Sequence, residues 1–132
     1  MSAPGGLLIA APGSGAGKTT LTLALLRALK SAGVRVASAK SGPDYIDPKF
    51  HEAASGRPCV NLDAWAMRPD AIRGLASRFG GDAELLLVEG AMGLFDGAAD
   101  ASGSAATSSA HRARFGAASR TTASTCVEQF VV

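Results

Sequence analysis

The sequence predicts an α/β fold built on a parallel sheet, and two patterns in the chain indicate it. Apolar runs without polar alternation occur at residues 6–11 and 84–89, as in strands that are covered on both faces. Segments of helical length, with apolar residues at helical spacing, lie between the predicted strands. Strands that alternate with helices in this way form βαβ units, whose ligands bind at the carboxyl ends of the strands.

Three strands and three helices follow from these patterns. The expected strands lie at residues 6–11, 34–39 and 84–89. The expected helices lie between the glycine-rich turn and Ser31, at residues 49–55, and from Pro69 to Phe79. The second strand is less apolar than the others, so we expect it nearer an edge of the sheet. Residues 61–67 resist assignment, and within them Trp65 and Met67 are expected to pack in the core.

The turn after the first strand reads Ala10-Ala-Pro-Gly-Ser-Gly-Ala-Gly-Lys-Thr-Thr20, which predicts a P-loop NTPase-type sheet. Backbone N–H groups of such a turn converge on phosphate, Lys18 reaches the β/γ-phosphates and the Thr19 hydroxyl coordinates Mg²⁺. Pro12 stands where the strict pattern has its first glycine; a flexible Gly-Ser loop ending in Lys-Thr-Thr is the other interpretation. The predicted ATP-binding residues are Gly13, Ser14, Gly15, Ala16, Gly17, Lys18, Thr19 and Thr20.

Acidic residues follow the second and third strands, at the sheet edge where ligands bind. Asp44 and Asp47 lie among prolines, and the residues before those prolines, Gly42 and Asp47, are expected to be extended rather than helical. Glu89 ends the third strand and is the candidate partner of Thr19 at Mg²⁺, and Asp96 lies in the glycine-punctuated loop that follows. An ordinary surface turn and a solvated strand end remain the alternatives for these acids.

Length and charge narrow the class of protein. The chain of 132 residues suits one domain, and a formal net charge of +2 without a basic block does not indicate nucleic-acid binding. No stretch reaches the roughly 18 apolar residues of a membrane span, so we expect a cytoplasmic protein without membrane contact. Cys59 and Cys126 are expected to be unpaired thiols, and the isolated His51 to be structural.

Three segments together resemble the N-terminal domain of the cobyrinic acid a,c-diamide synthases, including the hydrogenobyrinic acid enzymes. They are the P-loop, Gly42-Pro-Asp-Tyr-Ile-Asp-Pro48 with Phe50-His51, and Val88-Glu-Gly-Ala-Met-Gly-Leu-Phe-Asp-Gly97. The resemblance covers about the first hundred residues, so residues 1–100 are expected to be the N-terminal part of an ATP-binding amidoligase domain. This domain is similar to dethiobiotin synthetase and, more distantly, to the partition ATPases.

The resemblance implies ATP- and Mg²⁺-dependent amidation of the a and c acetate side chains of a corrin precursor, with glutamine as nitrogen donor. It implies that Thr19, Asp47 and Glu89 hold Mg²⁺ and that Lys18 stabilises the transferred phosphoryl group. Asp44 and Asp96 would assist at the phosphoryl-transfer site. Asp47 would be a catalytic residue as well as a Mg²⁺ ligand. Lys40 and Tyr45 would face the substrate.

The chain departs from the family in two ways. The family carries a separate glutaminase domain with a cysteine nucleophile, and Cys126 lacks the surrounding motif, so this chain could at most use free ammonia. Residues 101–132 contain no Leu, Ile, Asp, Lys or Pro. We hypothesise that the reading frame is lost near Ser104, leaving an aberrant tail; a natural disordered tail is the alternative.

Two other functions share the same phosphate-binding groups. A dethiobiotin-synthetase-like ligase would use them, but the segment at residues 42–48 argues against it. A non-enzymatic ParA/MinD-like switch of the partition type would carry a signature lysine early in the P-loop, where this chain has Gly13.

Overall fold

A parallel sheet forms the centre of the molecule, with its strands in the order β3-β2-β4-β1-β5. The computed structural model describes residues 4–94, residue 96 and residues 129–131. The strands are β1 (Gly5–Ala10), β2 (Val36–Ser41), β3 (Cys59–Leu62), β4 (Leu85–Gly90) and β5 (Gln129–Val131). The helices are α1 (Lys18–Ser31), α2 (Asp47–Ser55) and α3 (Pro69–Gly80). This architecture confirms the predicted α/β class.

Two groups of buried side chains cover the two faces of the sheet. Leu86 and Val88 of β4 belong to the cluster that contains Ile72 of α3. Leu87, between them in sequence, belongs to the cluster that contains Leu26 of α1. Because successive side chains of a strand point to opposite faces and both faces are covered, the part of β4 from Leu85 to Val88 is apolar at every position, which explains its unbroken run. Glu89 shares the face of Leu87 and follows that run at the carboxyl end.

Strand register places residues that were predicted for the site side by side. β4 lies between β1 and β2, so Glu89 pairs with Ile9 on one side and with Lys40 on the other. The P-loop leaves the end of β1, and the acidic loop leaves the end of β2. Three chain segments that are distant in sequence therefore meet at one edge of the sheet.

β2, which was expected nearer an edge of the sheet, is the second strand from one edge. All six residues of β2 are buried, and β3 lies outside it. β3 is not among the expected strands, because its four residues are too few to show a periodic pattern. β2 also begins at Val36, two residues later than expected.

Three local expectations are wrong, those for Asp47, Gly42 and Trp65. Asp47 is not extended but begins α2, since Pro48 occupies the first helical turn, where its missing N–H costs no hydrogen bond. Gly42 has φ 115°, a left-handed value rather than an ordinary extended one. Trp65 is 64% exposed instead of packing in the core, whereas Met67 does pack against it.

The end of the chain adds one strand beyond those expected. Residues 129–131 form β5 along β1, where the sequence predicts no structure. The proposed domain boundary at residue 100 and the rest of the tail, including Cys126, lie outside the described residues. None of the described helices combines the length and the apolar character needed to cross a bilayer. The expected cytoplasmic location stays a prediction.

We predict that Leu26→Ala lowers the free energy of unfolding by about 2–5 kcal/mol, because Leu26 is fully buried between α1 and the sheet. Arg27→Ala, at the neighbouring exposed position, should change it by less than about 0.5 kcal/mol. Urea denaturation followed by circular dichroism measures both. Equal losses in the two variants would contradict this packing.

Candidate nucleotide-binding site

The glycine-rich turn is shaped to bind an anion. Gly15 and Gly17 have φ of 76° and 88°, left-handed values that favour glycine. Gly17 is the N-cap of α1, and as a glycine it has no side chain that could accept hydrogen bonds from the first N–H groups of the helix. The first N–H groups of α1 therefore remain available to phosphate. Lys18 is buried, and its Nζ donates to the Gly13 carbonyl oxygen at 3.2 Å.

Oxygen atoms from three elements converge beside this turn. The Thr19 hydroxyl lies 2.5 Å from Oε1 of Glu89 and 3.2 Å from Oδ2 of Asp47. The Lys40 ammonium lies 2.5 Å from the same Asp47 oxygen and 3.0 Å from the same Glu89 oxygen. We call Thr19, Lys40, Asp47 and Glu89 the acid–lysine cluster. Its two carboxylate oxygens already hold one cation, Lys40.

Asp44 fixes the loop that carries Asp47. Its Oδ1 accepts hydrogen bonds from the N–H groups of Ile46 and Asp47, at 2.8 and 3.0 Å. Its Oδ2 lies 3.4 Å from Lys40 Nζ, and its carbonyl accepts from Asn61 of β3 at 2.8 Å. Asp44 therefore caps the start of α2 and adds a third negative charge near Lys40.

Mutual contacts keep these groups charged. Burial alone would raise the pKa of Glu89, but hydrogen bonds from His51 and Thr19 and the charge of Lys40 lower it. Burial would likewise lower the pKa of Lys40, but Asp47 and Glu89 raise it. The pKa of Asp44 is lowered because the N–H groups of Asp47 and Ile46, with Lys40, outweigh burial.

His51 lies behind the cluster and is completely buried. Its Nε2 is 2.6 Å from Oε2 of Glu89, and its Nδ1 is 3.5 Å from the sulfur of Cys59. Burial would lower the pKa of His51, but the contacts with Cys59 and Glu89 raise it to about 9. His51 is therefore not the isolated residue that the sequence predicts. The signal available was its spacing from Asp47, four residues along one helix face.

The loop after β4 packs against the P-loop. The Leu94 N–H donates to the Ala11 carbonyl at 2.7 Å. A Cβ at Gly93 would lie 2.4 Å from the Pro12 carbonyl oxygen, so only glycine fits there. Asp96 closes this turn, because its Oδ2 accepts from the Gly93 N–H at 2.7 Å. Asp96 thus contacts the turn rather than the acid–lysine cluster.

A cleft of about 500 Å³ joins the P-loop to the acid–lysine cluster. Most residues predicted for the site line it: Ser14, Gly15, Gly17, Lys18, Thr19, Thr20, Lys40, Asp44, Asp47 and Glu89. Tyr45 does not line it and is 90% exposed. The cleft therefore combines a phosphate-binding turn with a group of carboxylates and one lysine.

The match to a family of nucleotide-binding domains agrees with this geometry. The model of the family CbiA, described as the CobQ/CobB/MinD/ParA nucleotide binding domain, matches residues 7–117. The chain belongs to the CbiA family. This confirms the predicted nucleotide-binding class of domain.

Similarity to individual curated proteins gives a narrower match than the CbiA family model. A hydrogenobyrinate a,c-diamide synthase of Brucella anthropi is 62% identical over 102 residues, covering 76% of this chain and 23% of the relative. The protein of the same name from Rhodobacter capsulatus is 58% identical over 111 residues, covering 84% and 25%. That of Rhizobium meliloti is 57% identical over 101 residues, covering 76% and 24%. The chain spans about a quarter of the length of these relatives, and they confirm the resemblance to the a,c-diamide synthases.

We predict that Gly93→Ala destabilises the chain by about 1–3 kcal/mol, because the added methyl group meets the Pro12 carbonyl. Gly74→Ala, where the helix surface is open, should instead stabilise it by about 0.5–1 kcal/mol. Urea denaturation gives both values. A Gly93→Ala variant as stable as the wild type would show that the loop after β4 does not press on the P-loop.

We also predict a dependence of stability on pH in the metal-free chain. The pKa of His51 rises from 6.5 to about 9 on folding, so its contribution is complete below pH 6.5 and is lost as pH rises to 9. The free energy of unfolding should fall across that range, by up to about 3 kcal/mol. Denaturation at a series of pH values measures the fall. His51→Gln should remove it, and a wild type with constant stability would contradict the assignment.

Proposed function

We propose that this chain is the ATP-binding, carboxylate-activating part of an enzyme that amidates the a and c carboxylates of hydrogenobyrinate or cobyrinate in cobalamin biosynthesis. The convergence of Thr19, Asp47 and Glu89 with Lys40 beside the P-loop is the observation that carries this proposal. The names of the relatives, which are amide synthases acting on hydrogenobyrinate, support the choice of substrate. The nitrogen would come from glutamine through a glutaminase domain, as ammonia.

The donor atoms of the cluster fit Mg²⁺. Those of Thr19, Asp47 and Glu89 are all oxygens, the ligands that this ion prefers, and the two carboxylate oxygens already lie around the positive charge of Lys40. The described residues contain no group of three or more His, Cys, Asp or Glu that would enclose a metal. That agrees with a nucleotide site, where Mg²⁺ is bound by one or two protein carboxylates together with phosphate oxygens of the nucleotide. Thr19, Asp47 and Glu89 would hold the ion.

The proposed reaction has two steps. An oxygen of the substrate carboxylate attacks the γ-phosphorus of ATP, so that an acyl phosphate forms and ADP leaves. Ammonia then attacks the acyl carbon, phosphate leaves with the C–O bond electrons, and an amide remains. When bound, Mg²⁺ neutralises charge that develops on the phosphate oxygens.

Charge repulsion is the main barrier to the first step, because two anions must meet. Lys18 and the P-loop N–H groups stabilise the phosphoryl group, and Lys40 offsets the charges of Asp44, Asp47 and Glu89. Lys40 and the exposed Tyr45 are the proposed contacts to substrate. Asp44 would assist by fixing Asp47, and Asp96 by holding its turn against the P-loop.

We predict that Lys18→Ala weakens ATP binding by about 10–100-fold, since a hydrogen bond to a charged group contributes about 1.5–3 kcal/mol. Lys30→Ala, an exposed lysine at the far end of α1, is the control and should bind like the wild type. Titration calorimetry measures both. Equal affinity in the two variants would contradict the P-loop assignment.

The reaction is tested with ATP, hydrogenobyrinate and ammonia. We expect the corrin to increase ADP formation by the chain, and turnover that no corrin changes would contradict the proposal. A chimaera in which the 111 aligned residues of this chain replace their counterparts in the Rhodobacter capsulatus protein gives a second test. It should amidate hydrogenobyrinate with glutamine, and Lys18→Ala within it should abolish that activity. A dethiobiotin-like ligase or a partition-type switch would fail both tests.

A further inference from the structure

The Glu89 carboxylate uses its two oxygens for two different partners. Oε1 faces the cluster, 2.5 Å from the Thr19 hydroxyl and 3.0 Å from Lys40. Oε2 faces the interior, 2.6 Å from Nε2 of His51. Both the Glu89 and the His51 side chains are fully buried. The orientation of the outer oxygen is therefore set by the contact of the inner one.

We propose that His51 is a positioning residue that fixes the Glu89 carboxylate, so that Oε1 is presented to Thr19 and to the cation site. This inference rests on the proposed function, in which Glu89 holds Mg²⁺. His51 itself touches neither nucleotide nor metal in this scheme.

The place of His51 on α2 makes it suited to this role. Asp47 and His51 lie one helical turn apart on α2, so one rigid element sets the position of Asp47 and, through His51, that of Glu89. On its other side the ring contacts the sulfur of Cys59 in β3 at 3.5 Å. His51 is thus held between the helix, the edge strand and the central strand.

A donor is needed at this point in the interior. Without one, Oε2 would be a buried charged oxygen lacking a hydrogen bond, a costly state that Glu89 would relieve by rotating or by taking up a proton. Nε2 of His51 lies 2.6 Å from Oε2, and because an ionised carboxylate can only accept a hydrogen bond, Nε2 carries the proton and is the donor to Glu89. Groups that orient metal-binding side chains in this way commonly alter metal affinity when they are changed.

Three variants separate positioning from mere filling of space. His51→Leu fills the site but has no donor, whereas His51→Gln keeps an N–H group near the place of Nε2. Ser55→Ala is the matched control: Ser55 is buried on the same helix, but its hydroxyl contacts the carbonyls of His51 and Arg57. His51→Asn, whose side chain is too short to reach Glu89, replaces His51→Leu if that variant does not fold.

The first measurement is ATP binding by the whole chain in calorimetric titrations without and with Mg²⁺. His51→Leu should bind metal-free ATP like the wild type but need about 10–100-fold more Mg²⁺ for the gain in affinity. His51→Gln should recover most of the loss, and Ser55→Ala should match the wild type. An unchanged Mg²⁺ requirement in His51→Leu would overturn the proposal.

The second measurement needs neither nucleotide nor metal. A hydrogen-bonded, buried Nε2–H should give a slowly exchanging imidazole proton resonance in the metal-free chain, lost in Glu89→Gln and retained in Ser55→Ala. Absence of the resonance from the wild type would overturn the proposal. If Mg²⁺ does not strengthen ATP binding by the wild type, the proposed function fails, and this resonance alone then decides whether His51 holds Glu89.

Discussion

The burial of Glu89 at the end of the central strand is the constraint on which the site depends. An ionised carboxylate inside a protein is stable only when both oxygens have donors or cations nearby. Here Lys40 and Thr19 satisfy one oxygen and His51 the other. Each of these partners comes from a different element, so satisfying one side chain fixes β2, α1 and α2 against β4. The same contacts assemble the groups proposed to handle phosphate and Mg²⁺.

Sheet order explains why these partners can meet. β4 lies between β1 and β2 instead of at an edge. The turn after β1 and the loop after β2 therefore flank the end of β4 on its two sides. The parallel register of β2 and β4 then places Lys40 directly beside Glu89, so that the two side chains meet without spanning a long distance. A phosphate-binding turn and an acid cluster so become two walls of one cleft.

Much of this arrangement could be predicted from the sequence. Local signals are strong for the P-loop, for α3 with its proline start, and for the unbroken apolar run of β4, because each depends on nearby residues. The acids after β2 and β4 could be assigned to one sheet edge by topology alone. Features that depend on contacts between distant residues were harder to predict. β3 is too short to show a pattern, and the role of His51 depends on its contact with Glu89, 38 residues away. Trp65 shows the converse error, since its size predicts burial and its surroundings leave it exposed.

The direct test of the central claim is the binding of a paramagnetic substitute for Mg²⁺. Electron paramagnetic resonance can count free Mn²⁺ in the presence of the chain and ATP, for the wild type and for Glu89→Gln. Glutamine keeps the shape of Glu89 but removes its charge, so we expect Mn²⁺ affinity in the ternary complex to fall at least about 10-fold while metal-free ATP binding persists. Equal Mn²⁺ affinity in a folded Glu89→Gln chain would contradict the account, because the buried carboxylate would then serve the fold and not the site.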